Sequence, residues 1–214
     1  METEGIRLSY KRIGIFGGTF NPPHLGHLIL AETAADSLEL DCVYFVPAAN
    51  PPHKIGLPRA PAEDRLAMVK LAIDGNSRFT TSRADMDRPG PHYAVDMIAM
   101  FHRDYPDAEL FFLMGSDSLR DFLSWSRPDE ILRMTTLVVM QRPDVYPDLS
   151  TLTRRLSGLL ERLYFLEAPE IEISSTEIVA RIKEGRSIRY RVPESVLHYL
   201  TEHQLYIVPK DDES

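Results

Sequence analysis

The sequence predicts an α/β protein built on a doubly wound parallel sheet, with a small helical part towards its C-terminal end. Three observations support this prediction. Short apolar runs alternate with helical patterns, several of these runs are apolar without interruption, and the first run leads through paired glycines into a periodic helix. Uninterrupted apolar strands are typical of parallel sheets that are covered by helices on both faces.

Six segments have the length and apolar content of buried strands. They cover residues 13–16, 43–46, 79–82, 110–114, 136–140 and 163–166. In a doubly wound sheet, ligands bind beyond the carboxyl ends of the strands. The turns that follow these segments are therefore where a functional site is expected.

Helical periodicity predicts helices between the strands. They cover residues of about 24–40, 61–73, 93–102 and 129–134. The second helix begins with Pro61 and two acidic residues, which is a typical helix start, and should end at Asp74 and Gly75.

The C-terminal part is predicted to be helical. Ser174 and Glu177 have the spacing of a capping box, which predicts a helix over about 176–184 that stops at Gly185. A last helix is expected to open at Pro193.

Composition indicates one domain over residues 1–214, in which the C-terminal helical part occupies about 174–206. The apolar runs are strand-length, well short of the roughly 18 residues that cross a bilayer. The N-terminal residues are acidic and do not form a signal peptide, and Cys42 is the only cysteine, so we expect a cytoplasmic protein. The formal net charge of −8 disfavours broad nucleic-acid binding, which depends on basic surface.

The strongest functional signal is the segment from Gly14 to Leu28. It reads Gly-Ile-Phe-Gly-Gly-Thr-Phe-Asn-Pro-Pro-His-Leu-Gly-His-Leu. The paired glycines lack Cβ atoms, so a ligand can approach the backbone closely. His24 and His27 lie on one face of the first turn of the following helix. Because a helix start carries unpaired N–H groups and partial positive charge, the pattern indicates a phosphate-handling site.

The His-x-Gly-His pattern after a Gly-rich strand end resembles the signature of the nucleotidyltransferase superfamily. The longer string Gly-Gly-Thr-Phe-Asn-Pro-Pro-His-x-Gly-His is narrower, and it resembles the bacterial nicotinate mononucleotide adenylyltransferases. Residues 174–178, Ser-Ser-Thr-Glu-Ile, are similar to that family's second signature, Ser-Ser-Thr-x-Ile-Arg. The resemblance extends from residue 13 to about 206 and implies a Rossmann-like nucleotidyltransferase fold.

The resemblance implies an ATP site between the two signatures. Hydroxyl and N–H groups at the second signature would bind the triphosphate, although Ser174 also suits a plain N-cap. Asp117 could accept hydrogen bonds from a ribose or help to hold a hydrated metal, or it could cap the next helix, as could Ser118. The expected ATP-binding residues are Gly17, Gly18, Thr19, Phe20, His24, His27, Gly115, Asp117, Ser174, Ser175, Thr176 and Ile178.

The resemblance also implies a site for the acceptor. The Pro-Pro-His-Lys loop after the second strand should overhang the crevice, and in the family its lysine reaches phosphate. Trp125 is usually a core residue by type, but here we expect it to stack on the nicotinate ring. The turn over 90–93 would present backbone N–H groups to the nicotinate carboxylate. The expected acceptor-binding residues are Asn21, His53, Lys54, Tyr93, Ala94, Trp125 and Arg142.

The sequence departs from the family pattern at three positions. Val179 occupies the place of the arginine in the second signature, and Ala94 and Met97 occupy the places of two threonines near the acceptor turn. A missing phosphate contact could be replaced by an arginine elsewhere in the chain. The candidates are Arg142, Arg181 and Arg186, and the sequence does not decide between them.

The activity that the resemblance implies is transfer of AMP from ATP to nicotinate mononucleotide, which yields nicotinate adenine dinucleotide and pyrophosphate in NAD biosynthesis. An ionised phosphate is already a nucleophile, so alignment and charge stabilisation by His24, His27 and Lys54 would suffice for catalysis. Mg²⁺ would be bound mainly through the ATP phosphates.

Two other activities remain open from the sequence. The same chemistry could act on nicotinamide mononucleotide or on another phosphorylated acceptor such as phosphopantetheine. Val179 and Ala94 also keep open a nucleotide-binding module without turnover. The expected partners are ATP and nicotinate mononucleotide, with no nucleic acid and no membrane, and homo-oligomer formation is left open.

Overall fold

A computed structural model describes residues 10–49, 59–142, 145–169 and 172–207. The strands among these residues are β1 (Arg12–Gly18), β2 (Cys42–Pro47), β3 (Phe79–Thr81), β4 (Glu109–Gly115), β5 (Thr136–Met140) and β6 (Leu163–Leu166). They form one sheet in the order β3-β2-β1-β4-β5-β6, and every pair is parallel. The predicted parallel sheet is therefore confirmed, with each strand close to its predicted position.

Helices connect the strands. They are α1 (Leu25–Ser37), α2 (Ala62–Ile73), α3 (Ala94–Asp104), α4 (Ser116–Arg120), α5 (Pro128–Met134), α6 (Leu149–Arg155), α7 (Ser175–Lys183) and α8 (Glu194–Glu202). All the predicted helices are present, whereas α4 and α6 were not expected. These two have only five and seven residues, which is too short for helical periodicity to be visible in the sequence.

The helices cover both faces of the sheet. Side chains of α1 and α2 pack with Phe16 in one apolar cluster, and those of α3, α5 and α6 pack with Ile15 in another. The neighbouring residues Ile15 and Phe16 belong to different clusters because successive strand residues point to opposite faces. This two-sided burial explains the uninterrupted apolar strands of the sequence.

The C-terminal helices α7 and α8 share a third apolar cluster with α2. Ile178 of α7 and Val196 of α8 are fully buried there against Met68 of α2. This packing holds the start of α7 close to the sheet. Among the described residues, no helix combines the length and apolar character that crossing a membrane requires.

Helix α1 ends earlier than predicted, at Ser37 instead of Leu40. The chain leaves the helix through Glu39, whose φ of 47° lies in the left-handed region. The amide of Leu40 donates to the carbonyl of Ala35 at 2.9 Å, and the amide of Glu39 donates to the carbonyl of Asp36 at 3.3 Å. These are the two bonds of a Schellman motif, which brings the buried Leu40 back to the core.

The strand order reverses at β1, which lies between β2 and β4. The chain leaves β1 towards α1 and leaves β4 towards α4, so the two turns diverge and open a crevice at the carboxyl ends of these strands. We call residues 17–23, which comprise the paired glycines at the end of β1 and the turn that follows them, the Gly-rich turn. This turn and residues 115–118 at the end of β4 thus meet at the edge where a ligand is expected.

We predict that Glu39→Gly raises the free energy of unfolding by about 0.5–1 kcal/mol, because glycine adopts the left-handed conformation without steric cost. The matched variant is Gly75→Ala, since Gly75 has φ 84° and open space around its Cα. It should lower the free energy of unfolding by about 1 kcal/mol. Urea unfolding measures both values. A loss of stability in Glu39→Gly would show that the Glu39 side chain, and not its backbone, matters at this position.

Candidate active site

The carboxyl edge of the sheet contains two adjoining cavities. The larger has a volume of about 740 Å³ and lies between the Gly-rich turn, the start of α3 and the segment around Trp125. The smaller has a volume of about 130 Å³ and lies between the start of α1 and the ends of β4 and β5. The lining residues common to both are Gly17, Phe112, Asp117, Ser118 and Trp125. The two cavities therefore form one crevice.

His24 lies at the floor of the smaller cavity. It is the N-cap residue of α1, and only 3% of its surface is exposed. Its Nδ1 atom has no hydrogen-bond partner among the described residues. Burial, with a smaller contribution from the positive charge of Arg142, lowers the pKa of His24 from its ordinary 6.5 to about 3. His24 is thus a neutral imidazole at physiological pH.

The ring of His27 stacks on the ring of His24, with 3.6 Å between the ring centroids. The backbone N–H of His24 donates to Nδ1 of His27 at 3.1 Å. Because Nδ1 is the acceptor, the neutral His27 ring carries its proton on Nε2. Phe20 packs edge-on against the same ring at 5.0 Å, so the Nε2–H donor has a fixed direction.

Two glycines are required by close contacts in this region. A Cβ atom on Gly26 would lie 3.1 Å from Nδ1 of His24, so a side chain there would displace the imidazole ring. A Cβ atom on Gly115 would lie 2.4 Å from Oδ1 of Asp117 and 3.0 Å from Nε of Arg142. Because both glycines lack a Cβ atom, polar side chains can pack closely against their backbone.

Asp117 does not cap a helix, so this interpretation of the sequence was wrong, and it was also wrong for Ser118. The N-cap of α4 is Gly115, and Asp117 lies in the first turn. Its Oδ1 is 3.4 Å from Nε of Arg142, whose amide donates to the hydroxyl of Ser116 at 3.0 Å. The carboxylate of Asp117 consequently faces both cavities.

Of the three arginines that could replace the one missing at Val179, Arg142 alone lines the smaller cavity. Arg181 donates from Nε to the carbonyl of Ser187 at 2.8 Å, and Arg186 forms an ion pair with Glu184 at 2.6 Å. Both interactions hold these two side chains within the C-terminal part. The structure therefore favours Arg142.

The start of α7 lies next to the Gly-rich turn. Ser174 is the N-cap residue, and its hydroxyl accepts a hydrogen bond from the amide of Glu177 at 3.1 Å, as the capping pattern predicts. The hydroxyl of Ser175 donates to the carbonyl of Pro22 at 2.9 Å, and Thr176 is exposed. Ile178 is fully buried and its amide donates to the carbonyl of Ser174 at 3.0 Å, so its side chain belongs to the core and its amide is already bonded.

Three further residues of the Gly-rich turn have structural contacts. The carbonyl of Thr19 accepts a hydrogen bond from Arg65 at 2.7 Å, although Thr19 also lines the larger cavity. The Phe20 side chain is buried, so only its backbone could contact a ligand. Oδ1 of Asn21 accepts hydrogen bonds from the amide of Ala60 at 2.9 Å and from the hydroxyl of Tyr206 at 2.6 Å. Asn21 thus anchors the turn.

The larger cavity separates Trp125 from the start of α3. Tyr93 and Ala94 lie on one side, together with Met97. Trp125 lies on the other side, half-buried, and its ring packs on Phe112 with 5.9 Å between the centroids. Trp125 therefore contacts the core and still presents a surface to the cavity. Its stacking on a ligand stays a prediction.

Sequence reasoning missed three polar residues of this region. Arg65 is 1% exposed and donates to backbone carbonyls of the Gly-rich turn and of the segments at Ala49 and Ala60. Asp85 and His92 line the larger cavity. Arg65 belongs to a Glu-Asp-Arg-Leu segment and His92 to the turn over 90–93, but the sequence gives none of the three side chains a role, because their contacts come from segments that are distant in the chain. The predicted residues His53 and Lys54 lie outside the described residues.

Among the described residues, both nitrogen donors and carboxylates line the crevice: the donors include His24, His27 and Arg142, and the carboxylates are Asp85, Asp117 and Asp121. Within the described ranges, no group of three or more His, Cys, Asp or Glu side chains could hold a metal ion. Among the residues that the structure describes, Asp117 is the one carboxylate that lines both cavities. A divalent cation bound by phosphate and water, with at most one or two protein carboxylates, fits such a site.

The sheet order and the histidine pair at the β1–α1 turn define a nucleotide-binding α/β protein. The model of the cytidylyltransferase-like family matches residues 15–181. A probable nicotinate-nucleotide adenylyltransferase of Thermomicrobium roseum is 47% identical over 196 residues, which cover 92% of either chain. One of Thermus thermophilus is 48% identical over 195 residues, which cover 91% of this chain and 99% of the relative.

The chain belongs to the cytidylyltransferase-like family and, within it, to the nicotinate-nucleotide adenylyltransferases. The solved structure of Plasmodium falciparum nicotinic acid mononucleotide adenylyltransferase complexed with NaAD has the same fold. Its TM-score is 0.76 at 18% identity, over 92% of this chain and 97% of the other.

We predict that His24 makes stability fall as the pH falls. Between about pH 6.5 and pH 3 the unfolded chain protonates His24 whereas the folded chain does not, so the unfolded state is favoured progressively in this window. The loss from pH 6.5 to pH 4.5 should be about 2–3 kcal/mol, at about 1.36 kcal/mol per pKa unit.

Urea unfolding at about pH 7, 5.5 and 4.5 measures this loss through the free energy of unfolding. In His24→Asn the pH dependence should be weaker, because asparagine does not titrate. His102→Asn is the matched control, since His102 is exposed on α3 and its replacement should leave the pH dependence unchanged. Equal pH dependence in wild type and His24→Asn would contradict the assignment.

Proposed function

We propose that this chain transfers AMP from ATP to nicotinate mononucleotide, and that the products are nicotinate adenine dinucleotide and pyrophosphate. The observation that carries the proposal is the stacked pair His24 and His27 at the start of α1, in the lining of the smaller cavity. The names of the relatives support the same activity. The larger cavity, at about 740 Å³, has the size of a small-molecule site.

The reaction needs alignment more than acid–base chemistry. A phosphate oxygen of the mononucleotide attacks the α-phosphorus of ATP, a new P–O bond forms, and the bond from the α-phosphorus to the bridging oxygen breaks as pyrophosphate leaves. The attacking oxygen is already ionised near neutral pH, so no residue has to remove a proton. The protein then has to hold the two phosphates in line and stabilise the charge on the transferring group.

His24 and His27 stabilise that charge as hydrogen-bond donors. His24 is neutral in the free protein because it is buried, and the proton on Nε2 of His27 is fixed by the bond to Nδ1. Donors that are oriented before the substrate binds need no reorganisation during the reaction. The close approach of Gly26 to the His24 ring preserves this arrangement.

Positive charge comes from Arg142 and from two helix starts. Arg142 lines the smaller cavity beside His24, and the starts of α1 and α7 adjoin through the hydrogen bond between Ser175 and Pro22. A helix N-terminus attracts phosphate through its free N–H groups and its dipole. Lys54 completes the proposed set of cations. Mg²⁺ bound to the ATP phosphates supplies further neutralisation of the departing pyrophosphate.

The acceptor occupies the larger cavity in this proposal. Its pyridine ring stacks on Trp125, and its carboxylate accepts hydrogen bonds from amides at the start of α3, near Tyr93 and Ala94. Pyrophosphate release from ATP and Mg²⁺, measured separately with nicotinate and nicotinamide mononucleotides, tests the activity. A higher kcat/KM with the nicotinamide compound would move the proposal to that acceptor. Absence of turnover with either compound would leave a nucleotide-binding module.

We predict that His24→Ala and His27→Ala each lower kcat by about 10²–10³, since each removes one preorganised donor from the developing charge. His102→Ala on the exposed surface of α3 is the control and should keep wild-type turnover. Circular dichroism establishes that the fold is retained. Wild-type kcat in a folded variant of either histidine would contradict its catalytic role.

We predict that Trp125→Ala weakens nicotinate mononucleotide binding by about 1–3 kcal/mol, with base–aromatic stacking as the guide, while ATP affinity changes little. Trp125→Phe keeps an aromatic surface and should recover part of the affinity. Calorimetric titration with each ligand measures both effects. If Trp125→Phe binds the acceptor as weakly as Trp125→Ala, packing against Phe112 and not stacking explains the residue.

A further inference from the structure

Four charged side chains join the segments that line the larger cavity. They are Asp85, Arg88, Asp96 and Arg127, which we call the wall network. Without such connections, the three segments that line the cavity, namely the chain after β2, the start of α3 and the chain around Trp125, would be free to shift relative to one another. The contacts of the network show which segments it holds.

The inner part of the network is a buried ion pair. Nη2 of Arg88 donates to Oδ1 of Asp85 at 2.6 Å, and the two side chains are only 13% and 7% exposed. Oδ2 of Asp85 accepts a hydrogen bond from the amide of Ala49 at 2.9 Å, in the segment that follows β2. Asp85 itself lines the larger cavity. The pair therefore joins the wall after β2 to the segment before α3.

Arg88 also determines the shape of the turn that leads into α3. Its Nη1 donates to the carbonyl of Pro91 and its Nη2 donates to the carbonyl of Tyr93, both at 2.9 Å. A planar guanidinium can hold two carbonyls and a carboxylate at once because its donors have a fixed geometry. The amides that open α3 follow directly after this clamped turn.

The outer part of the network reaches the Trp125 wall. Asp96, in the first turn of α3, lies 3.7 Å from Nη1 of Arg88 and forms an ion pair with Arg127. Arg127 is two residues from Trp125 and has φ 50°, a strained conformation for a residue with a side chain. Its contact with Asp96 ties the chain after Trp125 to α3.

We propose that Arg88 and Asp85 are positioning and specificity residues for the acceptor, an inference that rests on the proposed function. The wall network sets the separation between the start of α3 and Trp125. That separation must match the size of a flat ring that carries a carboxylate. Arg88 also neutralises Asp85 on the cavity wall. Without Arg88, the carboxylate of Asp85 keeps the hydrogen bond from the Ala49 amide and the neighbouring His92, but its charge is no longer balanced by a guanidinium and repels an anionic acceptor more than a neutral amide.

Arg88→Gln tests both parts of the proposal. We expect KM for nicotinate mononucleotide to rise by about tenfold, in the range that loss of one buried charged hydrogen bond produces, with KM for ATP changed less than twofold. The kcat/KM ratio of nicotinate to nicotinamide mononucleotide should fall. A change in this ratio separates a role towards the acceptor from a merely structural one.

Arg88→Lys guards against loss of the fold, because removal of one partner from a buried ion pair is strongly destabilising. Lysine keeps the charge opposite Asp85 but cannot hold both carbonyls of the turn. Arg88→Lys should keep the kcat/KM ratio of nicotinate to nicotinamide mononucleotide near that of wild type, while KM for nicotinate mononucleotide still rises about threefold. Thermal melting of each variant establishes that the folded protein is being assayed.

Arg83→Gln is the matched control. Arg83 lies in the same segment, pairs with Glu63 and Asp87, and is 43% exposed. Its replacement should leave unchanged both the KM for nicotinate mononucleotide and the kcat/KM ratio of the two acceptors. Arg127→Gln, at the exposed outer end of the network, should raise KM for nicotinate mononucleotide by about threefold without altering KM for ATP.

The outcomes distinguish this inference from the proposed function. If wild type turns over nicotinate mononucleotide but folded Arg88→Lys and Arg127→Gln keep wild-type acceptor KM, the wall network has no positioning role. If folded Arg88→Gln raises both substrate KM values equally and keeps the acceptor ratio, the residue is structural and the inference is wrong. If wild type has no turnover with either mononucleotide, the proposed function itself fails.

Discussion

The buried guanidinium of Arg65 is the interaction on which the site depends. It is nearly inaccessible and donates to the carbonyls of Thr19, Ala49 and Ala60, which belong to three separate segments. Burial lowers the pKa of Arg65, with Arg59 adding to the effect, yet an arginine stays charged in a protein. A buried charge is tolerated only when it is hydrogen-bonded, so these carbonyls must stay in place around it.

The Gly-rich turn that Arg65 holds leads directly into the histidine pair. The same turn is anchored by Asn21, whose side-chain oxygen accepts two hydrogen bonds. The anchored Gly-rich turn positions His24 at the start of α1. The backbone N–H of His24 then orients the His27 ring through its hydrogen bond to Nδ1. Each contact leaves the next side chain fewer conformations, and the result is a pair of donors that is ordered before any ligand binds.

The two cavities differ in chemistry, and this suits the two halves of the proposed reaction. The smaller cavity combines two imidazoles at the start of α1 with Arg142, a setting that attracts phosphate. The larger cavity is lined by Trp125 and by residues at the start of α3, and one of its lining carboxylates, Asp85, is paired with Arg88. Phosphate chemistry and ring recognition can therefore be assigned to separate groups of side chains.

The sequence by itself determined the parallel sheet, the Gly-rich turn, the histidine pair and the Ser174 cap, because the pattern that signals each strand, turn or cap lies within a short stretch of the chain. It could not show that Gly115 and not Asp117 caps α4, or that Ile178 is a core residue. The sequence assigned no role to Arg65, Asp85 or Arg88. Only the tertiary structure decided their roles, because burial and pairing depend on segments that are far apart in the chain and meet only when the sheet is assembled.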